Sequence, residues 1–171
     1  MSPSSTRTSA TDPLIRPAAP ADIAACRELF LEYQGAIGVS LCFQDFEREL
    51  AQLPGDYAPP RGGLWLAEAR GELAGCVAFR ALPANDAEMK RLYVRPAFRG
   101  LGLGRRFVDV VIAAGRAAGY EALKLDTLPS MAEAQRLYEA MGFVETSRYN
   151  DNPIGGTRFL SYDLRPLTQR A

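Results

Sequence analysis

Arg99-Gly100-Leu101-Gly102-Leu103-Gly104-Arg105-Arg106 sets glycine at every second position and brackets the run with arginines. Upstream, Glu88 to Arg95, closed by Pro96, predicts a strand. Downstream, Leu103, Phe107, Val110, Val111, Ala114 and Ala118 share one helical face, predicting a helix over Gly102–Ala118 with Gly119 at its C-terminal cap. Strand, glycine loop and helix in that order make an anion site. The first amides of a helix lack internal partners and sit at the positive end of its dipole. Glycine lets that backbone approach a pyrophosphate, and Arg99, Arg105 and Arg106 supply charge-assisted hydrogen bonds. A ligand-free turn is the competing reading, but it leaves the glycine entropy cost and the crowding of cations at a positive helix end without compensation.

Working outward, Leu14–Arg16 predicts a first strand, Ala21–Gln34 a helix through Ile23, Cys26, Phe30 and Tyr33, and about Gln44–Leu53 a second helix ended by Pro54-Gly55. Tyr57–Gly63 is expected as a loop. Leu64–Ala69 and Leu73–Leu82 form a hairpin across Arg70-Gly71. Ala122–Thr127 predicts a strand, and Ser130 with Glu133 reads as a capping box opening a helix that ends at Met141 before Gly142. Phe143–Tyr149 and Thr157–Leu164 are expected as the last strands. The order βααβββαβαββ predicts an α/β chain with a mixed sheet flanked by about four helices. Residues 1–12, rich in Ser and Thr, are expected to be a disordered tail, and residues 13–171 a single domain.

Composition narrows the function. Twenty basic and twenty acidic residues balance, which speaks against a nucleic-acid or membrane-surface partner, and no apolar run has membrane-spanning length. Cys26, Cys42 and Cys76 are too few and too scattered for a disulfide framework or zinc site. Each is expected buried, in a reducing, cytoplasmic setting, with no metal. The chain has no histidine, so Ser-His-Asp and Cys-His chemistry are excluded and proton transfer falls to carboxylates, Tyr, Lys, Cys or water.

The glycine run lacks the Lys-Ser/Thr of a P-loop. A Rossmann dinucleotide site remains a rival because Asp126 ends the next strand, where an acid would grip a ribose. Against it, Glu88, Lys90 and Arg91 charge a strand that such a fold keeps apolar.

Three segments together resemble the GNAT superfamily of N-acetyltransferases. Arg99, Gly102 and Gly104 match its [Q/R]-x-x-G-x-[G/A] signature. Glu88-Met89-Lys90-Arg91-Leu92-Tyr93-Val94-Arg95-Pro96 is similar to its E-[hydrophobic]-x-x-L-Y-V-x-P strand. Ala134 to Phe143 resembles its A-x-x-L-Y-x-x-x-G-F segment. The resemblance implies a mostly antiparallel mixed sheet and an acetyl-CoA-dependent N-acetyltransferase in which an amine attacks the thioester directly. It places the pyrophosphate on Arg99, Gly100, Leu101, Gly102, Leu103, Gly104 and Arg105. It places the pantetheine arm along Leu92, Tyr93 and Val94.

An alkyl ammonium has a pKa of about 10 and must lose a proton before attack. Glu88 matches the family glutamate and is the candidate base, directly or through water, with Asp86 and Asp126 as nearby alternatives. Tyr138 matches the tyrosine that protonates the leaving thiolate; its helical face with Met131, Ala134 and Met141 also suits a core tyrosine. Met131 stands where the family often has Asn, leaving Thr127 or Ser130 to make that contact. The acceptor pocket is expected from residues 35–46, 57–63 and 149–156. Phe43, Phe46, Tyr57 and Tyr149 are candidate walls, and Glu32, Asp45 and Asp151 candidate partners for a cationic amine. The acceptor is the amine of a small molecule, peptide or protein. A non-catalytic acyl-CoA sensor stays open as a second class, and oligomeric state is not legible, a homodimer being compatible with everything above.

Overall fold

The structure, a computed structural model, describes residues 12–42 and 45–170. The expected tail, apart from Asp12, and also Phe43 and Gln44, lie outside the described residues. The elements are β1 (Leu14–Pro17), α1 (Ile23–Ile37), α2 (Phe46–Gln52), β2 (Gly63–Ala69), β3 (Glu72–Ala81), β4 (Asp86–Val94), α3 (Leu103–Ala117), β5 (Ala122–Thr127), α4 (Ala132–Ala140), β6 (Val144–Glu145) and β7 (Arg158–Asp163). The strands form one seven-stranded sheet in the order β1-β2-β3-β4-β5-β7-β6.

Among the described strands only β4 and β5 pair in parallel, and they do so briefly: Asp86, Ala87 and Glu88 lie against Ala122, Leu123 and Lys124. Beyond that register β5 keeps pairing antiparallel with β7 along its whole length, while β4 keeps β3 on its other side. The edge of β4 that faces β5 therefore has no strand partner from Met89 to Val94. This is not a doubly wound parallel sheet, and the Rossmann alternative fails on topology.

Strand alternation sorts the core onto two faces. Val77, Phe79, Ala87, Met89, Leu123 and Leu125 pack under Leu103, Phe107, Val108 and Val111 of α3. Leu64, Leu66, Cys76 and Ala78 pack under Cys26, Leu29 and Phe30 of α1 and Phe46 of α2. The β2–β3 turn is carried by Arg70 and Gly71, both left-handed at φ 55° and 77°, the twist that a two-residue hairpin needs.

Four expectations are corrected. The α3 face is rotated: Val108, Ile112 and Gly115 are buried, whereas Val110 is half-buried and Ala118 exposed, the buried side running through Leu103, Phe107, Val111 and Gly115. Ser130 does not cap α4; Met131 holds that position with no side-chain cap bond. The strand expected over Phe143–Tyr149 shrinks to Val144–Glu145, since Tyr149 turns inward to a carboxylate on β4. Cys42 is exposed, while Cys26 and Cys76 are buried, burial raising both thiol pKa values.

Gly75 sits opposite Val94, where β3 supports the far end of β4. A Cβ there would stand 2.3 Å from the Tyr93 carbonyl oxygen, a backbone atom held in the sheet. Gly75→Ala is expected to lower unfolding free energy by about 1–3 kcal/mol, as overpacked cores do. Urea unfolding checks this, and wild-type stability would refute the close approach.

Candidate functional site

The unpaired edge of β4 opens into a groove of about 580 Å³. Leu92, Tyr93 and Val94 form one side. Arg99, Gly100, Gly102, Leu103, Gly104 and Arg105 close its end, and Tyr33, Ala36 and Ile37 of α1 face Ser130, Met131, Ala134 and Leu137 of the α4 segment. That volume lies within the usual range of small-molecule sites.

The glycine loop has the geometry of an anion cradle. Gly100 and Gly102 are left-handed, at φ 83° and 72°, and no atom lies within 4 Å of where a Cβ would stand on either. Gly102 caps α3 and carries no side chain to satisfy the first amides of that fifteen-residue helix. Arg99 and Arg105 are exposed beside it, and Arg99 is steadied by its Nε bond to the Val94 carbonyl at 3.2 Å. Open amides, a positive helix end and two adjacent guanidinium groups suit a pyrophosphate. Of the residues expected to hold it, Leu101, 38% exposed, and Arg106 lie outside the groove lining.

Past Tyr33, Leu92 and Met131 the groove meets a smaller cavity of about 30 Å³ between β4 and β5, also lined by Lys90, Arg91, Asp126 and Tyr138. That is room for about one water molecule. Burial pushes the Tyr138 phenol well above its ordinary pKa, so it stays protonated at neutral pH and keeps a proton to donate. Lys90 moves the other way: burial lowers its pKa to about 8, with Glu88 opposing the shift. Asp126 accepts from the side-chain amides of Asn150 at 3.0 Å and Asn152 at 3.1 Å.

Glu88 is no exposed strand-end carboxylate. It is the third residue of β4 and 1% exposed. Its Oε2 accepts from Arg80 Nε at 3.0 Å and its Oε1 from the Tyr149 hydroxyl at 3.0 Å. Lys90 Nζ stands 3.9 Å from Oε1. Burial, then the Glu88 charge, raises the Tyr149 pKa far above its ordinary value, so this phenol remains a donor. Glu88 lines neither the groove nor the smaller cavity.

Next to it a second buried pair fixes the floor under α1 and α2. Arg91 is left-handed at φ 59°, where the β3–β4 register slips, and its guanidinium points beneath the helices. Nε donates to Glu49 Oε2 at 2.9 Å, the ring of Phe46 lies 5.1 Å away, and Glu49 also accepts from the Tyr57 hydroxyl.

The structure brings together Tyr138 and the expected groove residues. Phe46 and Tyr57 are core, and Thr127 is buried with its hydroxyl unpartnered, so Ser130 rather than Thr127 reaches the groove. Glu32 is engaged by Arg95, while Asp45 and Asp151 are exposed. Lys90 was overlooked, although a lysine inside a central strand is itself a signal.

A sequence model described as the Acetyltransferase (GNAT) family matches residues 23–143. An uncharacterized N-acetyltransferase of Schizosaccharomyces pombe is 37% identical over 147 residues, covering 85% of this chain and 90% of that protein. The uncharacterized N-acetyltransferase YjgM of Escherichia coli is 28% identical, covering 66% of this chain and 67% of its own. A GNAT-family acetyltransferase from Staphylococcus aureus superposes with a TM-score of 0.75 at 22% identity, over 90% of this chain and 99% of that one. A putative acetyltransferase from Salmonella typhimurium, solved with its cofactor acetyl-CoA, does so at 0.64 and 22% identity, over 90% and 95%.

Tyr149→Phe keeps the edge contact with Phe159 but removes one of the donors to Glu88. A hydrogen bond to a buried charge is worth about 1.5–3 kcal/mol. Urea denaturation of the variant should show a loss of that size, and an unchanged midpoint would mean that the bond contributes nothing.

Proposed function

This chain belongs to the GNAT acetyltransferase family and is an acetyl-CoA-dependent N-acetyltransferase, and we propose that it carries the acetyl group directly to a primary amine of a small molecule, peptide or protein. The observation that carries the reading is the open edge of β4, running from the glycine cradle to the cavity that Tyr138 lines.

In this reading the amides of residues 99–105 and the guanidinium groups of Arg99 and Arg105 hold the pyrophosphate. The unpaired backbone of Leu92, Tyr93 and Val94 extends the sheet onto the amide-bearing arm, as an added strand would. That alignment delivers the thioester to the parting of β4 and β5. Holding amine and thioester together removes the entropic cost of a bimolecular encounter. Tyr138 donates a proton to the leaving sulfur. Glu88, which lines neither the groove nor the smaller cavity, draws the proton from the acceptor at one remove. Buried, unpaired Cys26 and Cys76 suit a reducing compartment such as the cytoplasm.

Calorimetry with acetyl-CoA, followed by thioester consumption over a panel of primary amines, tests the reading. Gly102→Val puts a β-branched residue into a left-handed cap and shields the cradle amides. Relaxing that strain of about 1–3 kcal/mol would draw the free loop away from the cradle geometry that the bound state needs, so acetyl-CoA binding should weaken about tenfold to a hundredfold. Tyr138→Phe should lower kcat by about 10²-fold with little change in KM. Tight binding without turnover of any amine would instead favour a sensor.

A further inference from the structure

We propose that Lys90 is the group that takes the proton from the acceptor ammonium, and that Glu88 is a positioning residue acting through it. The proposal deepens the acetyl-transfer reading above and rests on it.

Geometry separates the two side chains. Glu88 has each carboxylate oxygen engaged, Oε2 by Arg80 and Oε1 by Tyr149, and lines neither cavity. Lys90 follows two residues later on the same face of β4, its Nζ 3.9 Å from Glu88, and lines the cavity at the end of the groove together with Tyr138. The side chain of Lys90 is only 4% exposed. In a chain without histidine it is, among the described residues, the one basic nitrogen lining that cavity able to shed its proton near neutrality, because arginine does not.

Among the described residues, charged and titratable groups face Lys90 from four elements besides its own strand. Along β4, Glu88 favours the ammonium form and Arg91 opposes it; Arg80 from β3 also opposes it, and Asp126 from β5 favours it. Lys124 on β5 is occupied with Asp86 and the Tyr149 ring. Tyr33 of α1 and Tyr138 of α4 complete the wall as neutral phenols, both with pKa raised by burial. Desolvation outweighs the two carboxylates and brings the Lys90 pKa down to about 8. A base in that range suits the operating pH; its pKa lies below the acceptor's value of about 10, so the proton transfer is uphill and is drawn on by the attack that follows.

The proton and electron accounts balance. An N–H bond of the acceptor ammonium breaks, its electron pair stays on nitrogen, and the proton goes to the lone pair of neutral Lys90. The freed nitrogen forms the C–N bond to the acetyl carbon while the C–S bond breaks and sulfur leaves with its electron pair. Tyr138 gives that sulfur a proton and receives the one that the newly bonded nitrogen sheds. Lys90 returns its proton to solvent.

The test uses the whole chain. Lys90 and Lys124 are its only lysines, so lysine labelled with ¹³C at the ε position gives two resolvable signals. The signal absent from Lys90→Arg should titrate with a midpoint near 8 in wild type. The pH profile of kcat/KM for the amine, measured by thioester consumption, should rise through the same midpoint. Lys90→Met should lose about 10²-fold in kcat while keeping its affinity for acetyl-CoA. Lys90→Arg should be no better, since it retains the charge but cannot become a base. Glu88→Gln removes a charge that favours the ammonium, so both midpoints should move to lower pH together; this variant tests the proposal even where Lys90→Met fails to fold. Retention of kcat within about threefold by Lys90→Met, rescue by Lys90→Arg, or a Lys90 midpoint near the ordinary 10.5 overturns it. Acetyl-CoA binding by wild type without consumption for any amine would sink the transfer reading, and this inference with it. Turnover that ignores Lys90 sinks only the latter.

Discussion

The parting of β4 from β5 after Glu88 and Lys124 governs the rest of the molecule. A central strand normally satisfies its amides and carbonyls on both sides. Here β4 does so on the β3 side alone for the second half of its length, and the free edge is left beside a helix whose first amides are also open. Two sets of unsatisfied backbone groups, one linear and one clustered, meet at Val94–Arg99. A ligand with an amide-bearing arm and a pyrophosphate satisfies both at once, and coenzyme A is such a ligand.

The opening also explains why charge is buried in the middle of the sheet. Asp86, Glu88, Lys90 and Arg91 are all buried on β4. Isolated, each would carry a desolvation penalty of several kcal/mol. Each is instead matched: Asp86 by Lys124, Glu88 by Arg80 and Tyr149, Lys90 by Glu88, Arg91 by Glu49. Such networks are weak as sources of stability and strong as constraints on geometry. This one fixes the buried side chains of β4 beside the smaller cavity.

Much of this was legible in the sequence because the signals were local. Alternating glycines after a strand announce left-handed backbone and an open helix start, and Gly100 and Gly102 are both left-handed. The β2–β3 hairpin and β5 followed from periodicity and turn residues. What escaped depended on long-range packing. Nothing near Tyr149 indicates that it leaves its expected strand, because its partner Glu88 lies sixty-one residues away. The Ser130–Glu133 pattern looked like a cap, yet the chain enters α4 one residue later, at Met131. The motif marks Glu88 as a candidate base but says nothing of its burial, which comes with partners from β3 and from the segment of Tyr149. Lys90 counts in the sequence only as a charge on a strand that a Rossmann fold would keep apolar, because nothing local shows that it is buried.

Arg95 has a consequence of a different kind. Its guanidinium reaches Glu28 and Glu32 of α1 and the Leu73 carbonyl of β3, with bonds of 2.6 to 3.1 Å. It leaves the chain one residue after the groove strand ends. The helix that supplies one wall of the groove is thus moored to the strand that supplies the other, like the crosspiece of a clasp. The tie holds α1 against the end of β4, so the mouth of the groove beside the glycine loop is shaped by a residue that does not line it.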